Sequence, residues 1–322
     1  MVDHLNWPRV RPRARVIIDN DYSGDPDDLI QTAHHLLSPS VEIPLFVASH
    51  LSAGDPWDPS EQQAANAEAE LRKLLAVMGV EERYAICRGA EKALVARDRP
   101  HDIPATRAII AEAMRDSDLP LFYAAGAGLT DLASALLIEP AIANRLTLVW
   151  IGGPEYADLA PPPPGAKGPE YNLRIDIGAA QAVFASGIAI WQVPRNVYRQ
   201  QLMSYAELIT SVGPHGALGR HLQQAIERVM DRTGRIGMPI GEAYAMGDSP
   251  LVTLTALQSA FEADPSSSFY QLRPRPSIND DGSYGPVTDG PPIRVYTQVD
   301  TRLTFSDFFA KLHLFAAFGQ RS

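Results

Sequence analysis

ARVIIDNDYSGDPDDLIQTAHHLL, residues 14–37, runs from an apolar stretch through an acid-rich turn into a second apolar stretch with helical spacing. Val16, Ile17 and Ile18 are β-branched and leave neither face polar, as in a strand covered on both sides. Asp25 followed by Pro26 reads as an N-cap with proline at the first helical position, so a helix starts directly after the turn. The same pattern recurs along the chain. VEIPLFVAS (41–49), RYAICRG (83–89), LPLFYAAGA (119–127), LTLVWIGG (146–153) and IAIWQVPR (188–195) are further short apolar runs separated by longer helical patterns. Strand alternating with helix implies an α/β fold: an open, mostly parallel, Rossmann-like sheet flanked by helices. Asp58, Pro59 and Glu61 mark another helix start, and Asp176 caps IGAAQAVFASG. Helices are also expected at Leu129–Leu137, His215–Thr233, Pro250–Ala263 and Thr304–Phe318.

Two segments interrupt the alternation. APPPPGAKGPE, Ala160–Glu170, reads as a lid-like loop. Pro265–Pro292 reads as an irregular hairpin region, because the strand-like IRVYTQVD and the helix TFSDFFAKLHLFAAF follow it and need a core. A single domain over 1–322 is expected, with 1–13 an N-terminal extension and 265–292 peripheral. The 322 residues are 45% hydrophobic and 20% charged, enough for a substantial core. A net charge of -10, with no Lys/Arg run, argues against nucleic acid and anionic membranes as partners and favours small molecules or cations. The single cysteine, Cys87, excludes an intrachain disulfide and a cysteine-based zinc site. With no signal-peptide core or spanning segment in the sequence, the expected location is the cytoplasm.

Asp19, Asp21, Asp25, Asp27 and Asp28 crowd one strand-to-helix turn. Carboxylates so close raise one another's pKa and destabilise the turn unless a cation neutralises them. The turn lies at the carboxyl end of a strand, where open α/β sheets bind ligands. With oxygen donors and neither thiol nor imidazole, it suits calcium or magnesium, and calcium if the remaining ligands come from scattered loops. A distant acid should complete the site. Asp248, before a helix, is the candidate; its other reading is an N-cap.

These residues carry a family resemblance. VIIDNDYSGDPDD resembles the DTDPGxDD opening of inosine-uridine type nucleoside hydrolases, with a longer turn between the second and third aspartates. AAGAGLTDLASALLIEP resembles the family's TGPLTNLA segment, LVWIGG its strand ending in Gly-Gly, and EYNLRIDIGAAQAVF its EFN and DPEAA motif. GDSPLVTLTAL stands where the family has HDP, and YTQVDTRLTFSDFF resembles its C-terminal strand and helix. The resemblance implies a calcium-dependent N-glycosidase that cleaves a nucleoside or related N-riboside. It implies Asp21, Asp28, Asp248 and the main-chain carbonyl of Gly126 as calcium (Ca2+) ligands, with Asp21 also the base that activates water. The family usually has threonine at 126, but a backbone oxygen does the work. Asp27, Glu170 and Asn172 are implied to bind ribose hydroxyls, and Asp19 to support the site from behind. A homodimer or homotetramer is implied in the same way.

The side facing the leaving base departs from the pattern. Gly247 replaces the family's histidine before the last aspartate, so the usual proton donor is missing. His50 stands where the family commonly has a sugar-binding asparagine, and is a candidate substrate residue. Trp57, Tyr244 and Glu242 are possible substitutes as donors or stacking surfaces. His34 and His35 are adjacent on a helix, point to different faces and read as structural. Cys87 reads as a small buried hydrophobe. Gly126-Ala127-Gly128 lacks the third glycine of a dinucleotide turn, and no lysine suits an aspartyl phosphohydrolase. A non-catalytic calcium-dependent sugar-binding protein is the remaining alternative.

Overall fold

The computed structural model describes residues 9–259 and 266–318. Its main sheet is built on β1 (Ala14–Asn20), flanked by β2 (Val41–Ala48) and β3 (Ile86–Arg88) on one side. On the other side come β4 (Leu121–Ala125), β5 (Leu146–Ile151) and β6 (Ala189–Val193). A short hairpin of β7 (Leu202–Ser204) and β8 (Ala243–Ala245) lies apart from it. The C-terminal part of the chain supplies an edge strand β9 (Phe269–Arg273), a second hairpin of β10 (Pro276–Ile278) and β11 (Tyr284–Val287), and β12 (Ile293–Gln298). The sheet order is β3-β2-β1-β4-β5-β6-β12-β9, parallel throughout except for the antiparallel β9. The expected open, mostly parallel α/β sheet is therefore observed.

The helices are α1 (Asp27–Leu36), α2 (Gln63–Val77), α3 (Pro104–Met114), α4 (Thr130–Ile138), α5 (Tyr171–Ile175), α6 (Ile177–Ala185), α7 (Arg195–Tyr198), the single turn α8 (Tyr205–Glu207), α9 (Gly216–Arg235), α10 (Pro250–Thr255) and α11 (Thr301–Phe318). They cover both faces, and β1 shows why its apolar run is unbroken. Val16 and Ile18 pack into a core with α1, α2, α9, α10 and α11, while Ile17 packs into a second core with α3, α4 and α6. No helix among the described residues is long and apolar enough to cross a membrane.

Several boundaries differ from expectation for local reasons. The Asp58 carboxylate accepts hydrogen bonds from the Ser60 amide and the Asn66 side chain, holding a turn, and α2 starts only at Gln63. α10 ends at Thr255, short of the expected Ala263; residues 260–265 lie outside the described residues. α3 was not anticipated, since its buried positions Ala105, Ile109 and Ala113 form a thin apolar stripe. Asp176 caps α6 as expected, accepting from the Ala179 amide at 2.8 Å. Cys87 is only half-buried, on β3 opposite Val47.

Strand order reverses between β1 and β4, and open α/β sheets hold their binding crevice beyond the strand ends at such a switch point. Asp19 pairs in register with Ala125 there, and the Gly126 amide donates to the Asp19 carbonyl at 2.9 Å. The acidic turn and Gly126, 98 or more residues apart in sequence, thus leave the sheet side by side.

Candidate metal and sugar site

Gly126 is the pivot of the site. A Cβ there would fall 1.8 Å from Asp248 Oδ2 and 2.8 Å from Asn20 Oδ1, so only glycine admits these two oxygens. Asp248 is 3% exposed and does not cap α10, whose N-cap position is Ser249. Its backbone amide donates to Asp27 Oδ2 at 3.1 Å, which ties the start of α10 to the start of α1. Asp27, Asp28 and Asp248 each offer an oxygen within 4.8 Å of the others. Asp21 is not one of that trio, but it lies close enough to Asp28 and Asp248 for both to act on its carboxyl. Asp21 Oδ2, Asp28 Oδ2 and Asp248 Oδ2 are all buried without a hydrogen-bond partner. Such orphaned oxygens are rare and call for an ion, water or proton. A hard cation fits this all-oxygen donor set.

The electrostatics agree. Burial first, and the Asp248 charge second, push the Asp21 and Asp28 carboxyls well above the ordinary carboxylate range. Burial and then Asp25 do the same to Asp27. Asp248 is pushed up to about 7 by burial and Asp19 to about 8 by burial and Asp131. Asp19 faces Ser49 and Tyr123, whose hydroxyls donate to it, and supports the end of β1 from behind.

Without a cation, the folded chain holds protons on these groups that the unfolded chain, near 3.8, releases. Stability of the cation-free protein therefore falls as pH rises from about 4 through the folded-state values near 7 and 8. Thermal unfolding in chelator should show Tm dropping between pH 5 and pH 8. Calcium at a hundredfold excess over Kd should add about 2.7 kcal/mol, with the larger gain at the alkaline end, where no protons need displacing. A Tm indifferent to pH, with calcium acting equally at both ends, would contradict this account.

Beside the acids lies a cavity of about 220 Å³ lined by Asp21, Asp25, Asp27, Trp57, Gly126, Ile151, Glu170, Tyr171, Asn172, Tyr198, Gly247 and Asp248. The larger, open cleft on the other face of the turn, by Tyr22 and Pro26, contains none of the three clustered acids. Glu170 closes the Pro-rich loop and is 1% exposed. It caps α5 by accepting from the Asn172 and Leu173 amides, and also accepts from the Gly153 amide and the Tyr198 hydroxyl, the last at 2.6 Å. Asn172 spends its amide hydrogens on the carbonyls of Gly126 and Ile151, which leaves its oxygen outside both bonds.

Residues 16–301 match the inosine-uridine preferring nucleoside hydrolase family. The chain belongs to that family. Among solved structures, a purine-preferring ribonucleoside hydrolase from Gardnerella vaginalis is 19% identical, with 94% of this chain and 99% of that one covered at a TM-score of 0.72. The plant nucleoside hydrolase PpNRh1 is also 19% identical, with the same coverage and a TM-score of 0.71. The type III effector XopQ, solved with adenosine diphosphate ribose, is 14% identical with 98% and 94% covered and a TM-score of 0.57. No curated protein sequence matches. At these identities the structures establish the shared fold.

Not every residue singled out as a nucleoside hydrolase site residue reaches the cavity. His50 is 2% exposed with one ring nitrogen on the Leu51 carbonyl and the other on Thr130 Oγ1, and it does not line the cavity. A threonine on α4 and a turned carbonyl give it two partners inside the protein, and none of its polar atoms is left for sugar. Tyr244 and Glu242 also lie outside the lining, although Tyr244 donates to Asp25 at 2.5 Å; Trp57 does line it. Asp25 is not the N-cap of α1, a position held by Pro26 without a side-chain bond; its carboxylate faces Tyr244 and the cavity. Three contributors had no sequence signal: Tyr171, Tyr198 and Asn20. A Cβ on Gly247 would sit 3.3 Å from the Tyr198 ring, so a tyrosine from α7 walls the place beside the family's missing imidazole. That pairing exists only across the fold.

Proposed function

We propose that the chain hydrolyses the N-glycosidic bond of a ribonucleoside or related N-riboside, releasing ribose and the free base. The observation that carries this reading is the set of buried, unpartnered oxygens on Asp21, Asp28 and Asp248, with Asp21 and Asp248 lining a cavity of about 220 Å³. Asp21, Asp28, Asp248 and the Gly126 carbonyl would hold calcium. Bound there, calcium supplies a Lewis acid that orients the cis hydroxyls of ribose and acidifies water. Asp21 takes the proton from the attacking water. Asp27 and Asn172 accept hydrogen bonds from ribose hydroxyls. Glu170, whose two oxygens accept from Tyr198, Gly153 and two α5 amides, fixes Tyr198 and Asn172 at the cavity under the Pro-rich loop. The carboxylates facing the ring stabilise the positive charge that builds on an oxocarbenium-like sugar.

The leaving group meets Tyr198, Tyr171 and Trp57 instead of an imidazole. With no side chain at 247 to donate a proton, the least demanding substrate is one whose glycosidic nitrogen is already cationic and departs neutral.

Reducing-sugar release should be measured over a panel of purine, pyrimidine and pyridinium ribosides. We expect release from at least one member, its loss in chelator and its recovery with calcium. Absence of release from every riboside at saturating calcium would leave a sugar-binding protein and overturn the catalytic reading.

A further inference from the structure

Asn20 is fully buried at the end of β1, and its Oδ1 has no hydrogen-bond partner. Both Asn20 Oδ1 and Asp248 Oδ2 lie within 3 Å of one point, the place a Cβ on Gly126 would occupy, at 2.8 and 1.8 Å. An amide beside carboxylates would ordinarily turn its NH2 toward them. Here it presents oxygen, and a relay of hydrogen bonds running away from the site explains why.

The direction of the relay is set at its far end. The Leu251 carbonyl on α10 can only accept, and it takes the Thr255 hydroxyl proton at 2.6 Å. Thr255 Oγ1 must then accept from His35 Nε2, 2.8 Å away. With its proton on Nε2, His35 offers Nδ1 as a lone pair, so Gln31 donates to it through Nε2. That turns Gln31 Oε1 toward Asn20, whose Nδ2 donates at 2.7 Å. Both Asn20 amide hydrogens belong to that nitrogen, so its oxygen is left facing the acids. Oxygen against carboxylate oxygen is repulsive unless a cation, or a proton held on the acid in its absence, stands between them.

We infer that Asn20 Oδ1 is a further, neutral ligand of the cation site, held in its ligating orientation by the Gln31–His35–Thr255 relay. The inference rests on the cation reading above and extends it to the last residue of β1. A neutral oxygen adds coordination without adding charge to a crowded set of acids, and Gly126 provides the room for it.

Calcium binding to the full chain should be measured by titration calorimetry for wild type, Asn20→Leu and Asn20→Ala, with near-ultraviolet circular dichroism to confirm folding. Weakening of about 10- to 100-fold is expected for both variants. Terbium in place of calcium gives a second readout: luminescence lifetimes in H2O and D2O count bound waters. Asn20→Ala should gain one water where the amide oxygen was lost, a change that a purely structural role for Asn20 would not produce. A folded variant binding calcium within twofold of wild type, with an unchanged water count, overturns the inference while leaving the cation site standing. A wild type that binds neither ion overturns both.

Discussion

Replacing Asp21 with asparagine is expected to lower kcat for riboside hydrolysis by about 10²- to 10⁴-fold, the range for a lost general base. Asparagine keeps the volume and an oxygen at the position but cannot take a proton. The Asp21 carboxyl is buried, has an unpartnered Oδ2 and belongs to a residue that lines the cavity, so its loss falls on proton transfer more than on folding. Calcium affinity should fall as well, because a charged ligand becomes neutral, so kcat is to be read at saturating calcium. A variant retaining more than a tenth of wild-type kcat would remove Asp21 from the role of base.

The second large effect is expected from a substitution toward the common family residue. Gly126→Thr restores the threonine usual at this place in nucleoside hydrolases, and should nevertheless damage this chain. The new Cβ would lie 1.8 Å from Asp248 Oδ2 and 2.8 Å from Asn20 Oδ1, both on buried side chains, so Asp248 must shift. Overpacking of this kind costs about 1–3 kcal/mol. Displacement of Asp248 should also abolish the calcium-induced rise in Tm. Thermal unfolding with and without calcium measures both effects together. A variant that unfolds like wild type and responds normally to calcium would mean that Asp248 has another place to go, and that the site is looser than its geometry implies.

These expectations draw on parts of the molecule that differ in how far the sequence discloses them. The sheet was legible because each strand is an uninterrupted apolar run bounded by turn residues, and burial on both faces demands that pattern. The acidic turn was legible because charge crowding is a local property. Asp248 was visible as a candidate acid, though not its choice between cap and ligand, which depends on Gly126 lying opposite it. His50 shows the converse: it stands where the family commonly has a sugar-binding asparagine, but the Leu51 carbonyl and the Thr130 hydroxyl take its two ring nitrogens. Tyr198 and Asn20 were silent. A tyrosine in PRNVYRQ and an asparagine between two aspartates mean nothing until the fold brings Gly247 to the one and Gln31 to the other. The hairpin of β10 and β11 was foreshadowed by composition, while the antiparallel β9 beside β12 was hidden in a polar stretch.

The contacts that join Asp27 to Asp248 span 221 positions of the chain. Nothing local prepares them. β1, β4 and the start of α10 must all be in place before the acids meet, and contacts of such separation form late in folding. A nascent or truncated chain ending before residue 248 would therefore carry the acidic turn without its partner and would have little grip on a divalent ion. The ion would recognise the completed fold and slow its unfolding without guiding its assembly. Chains matured where the ion is scarce would reach the same architecture but lose it sooner.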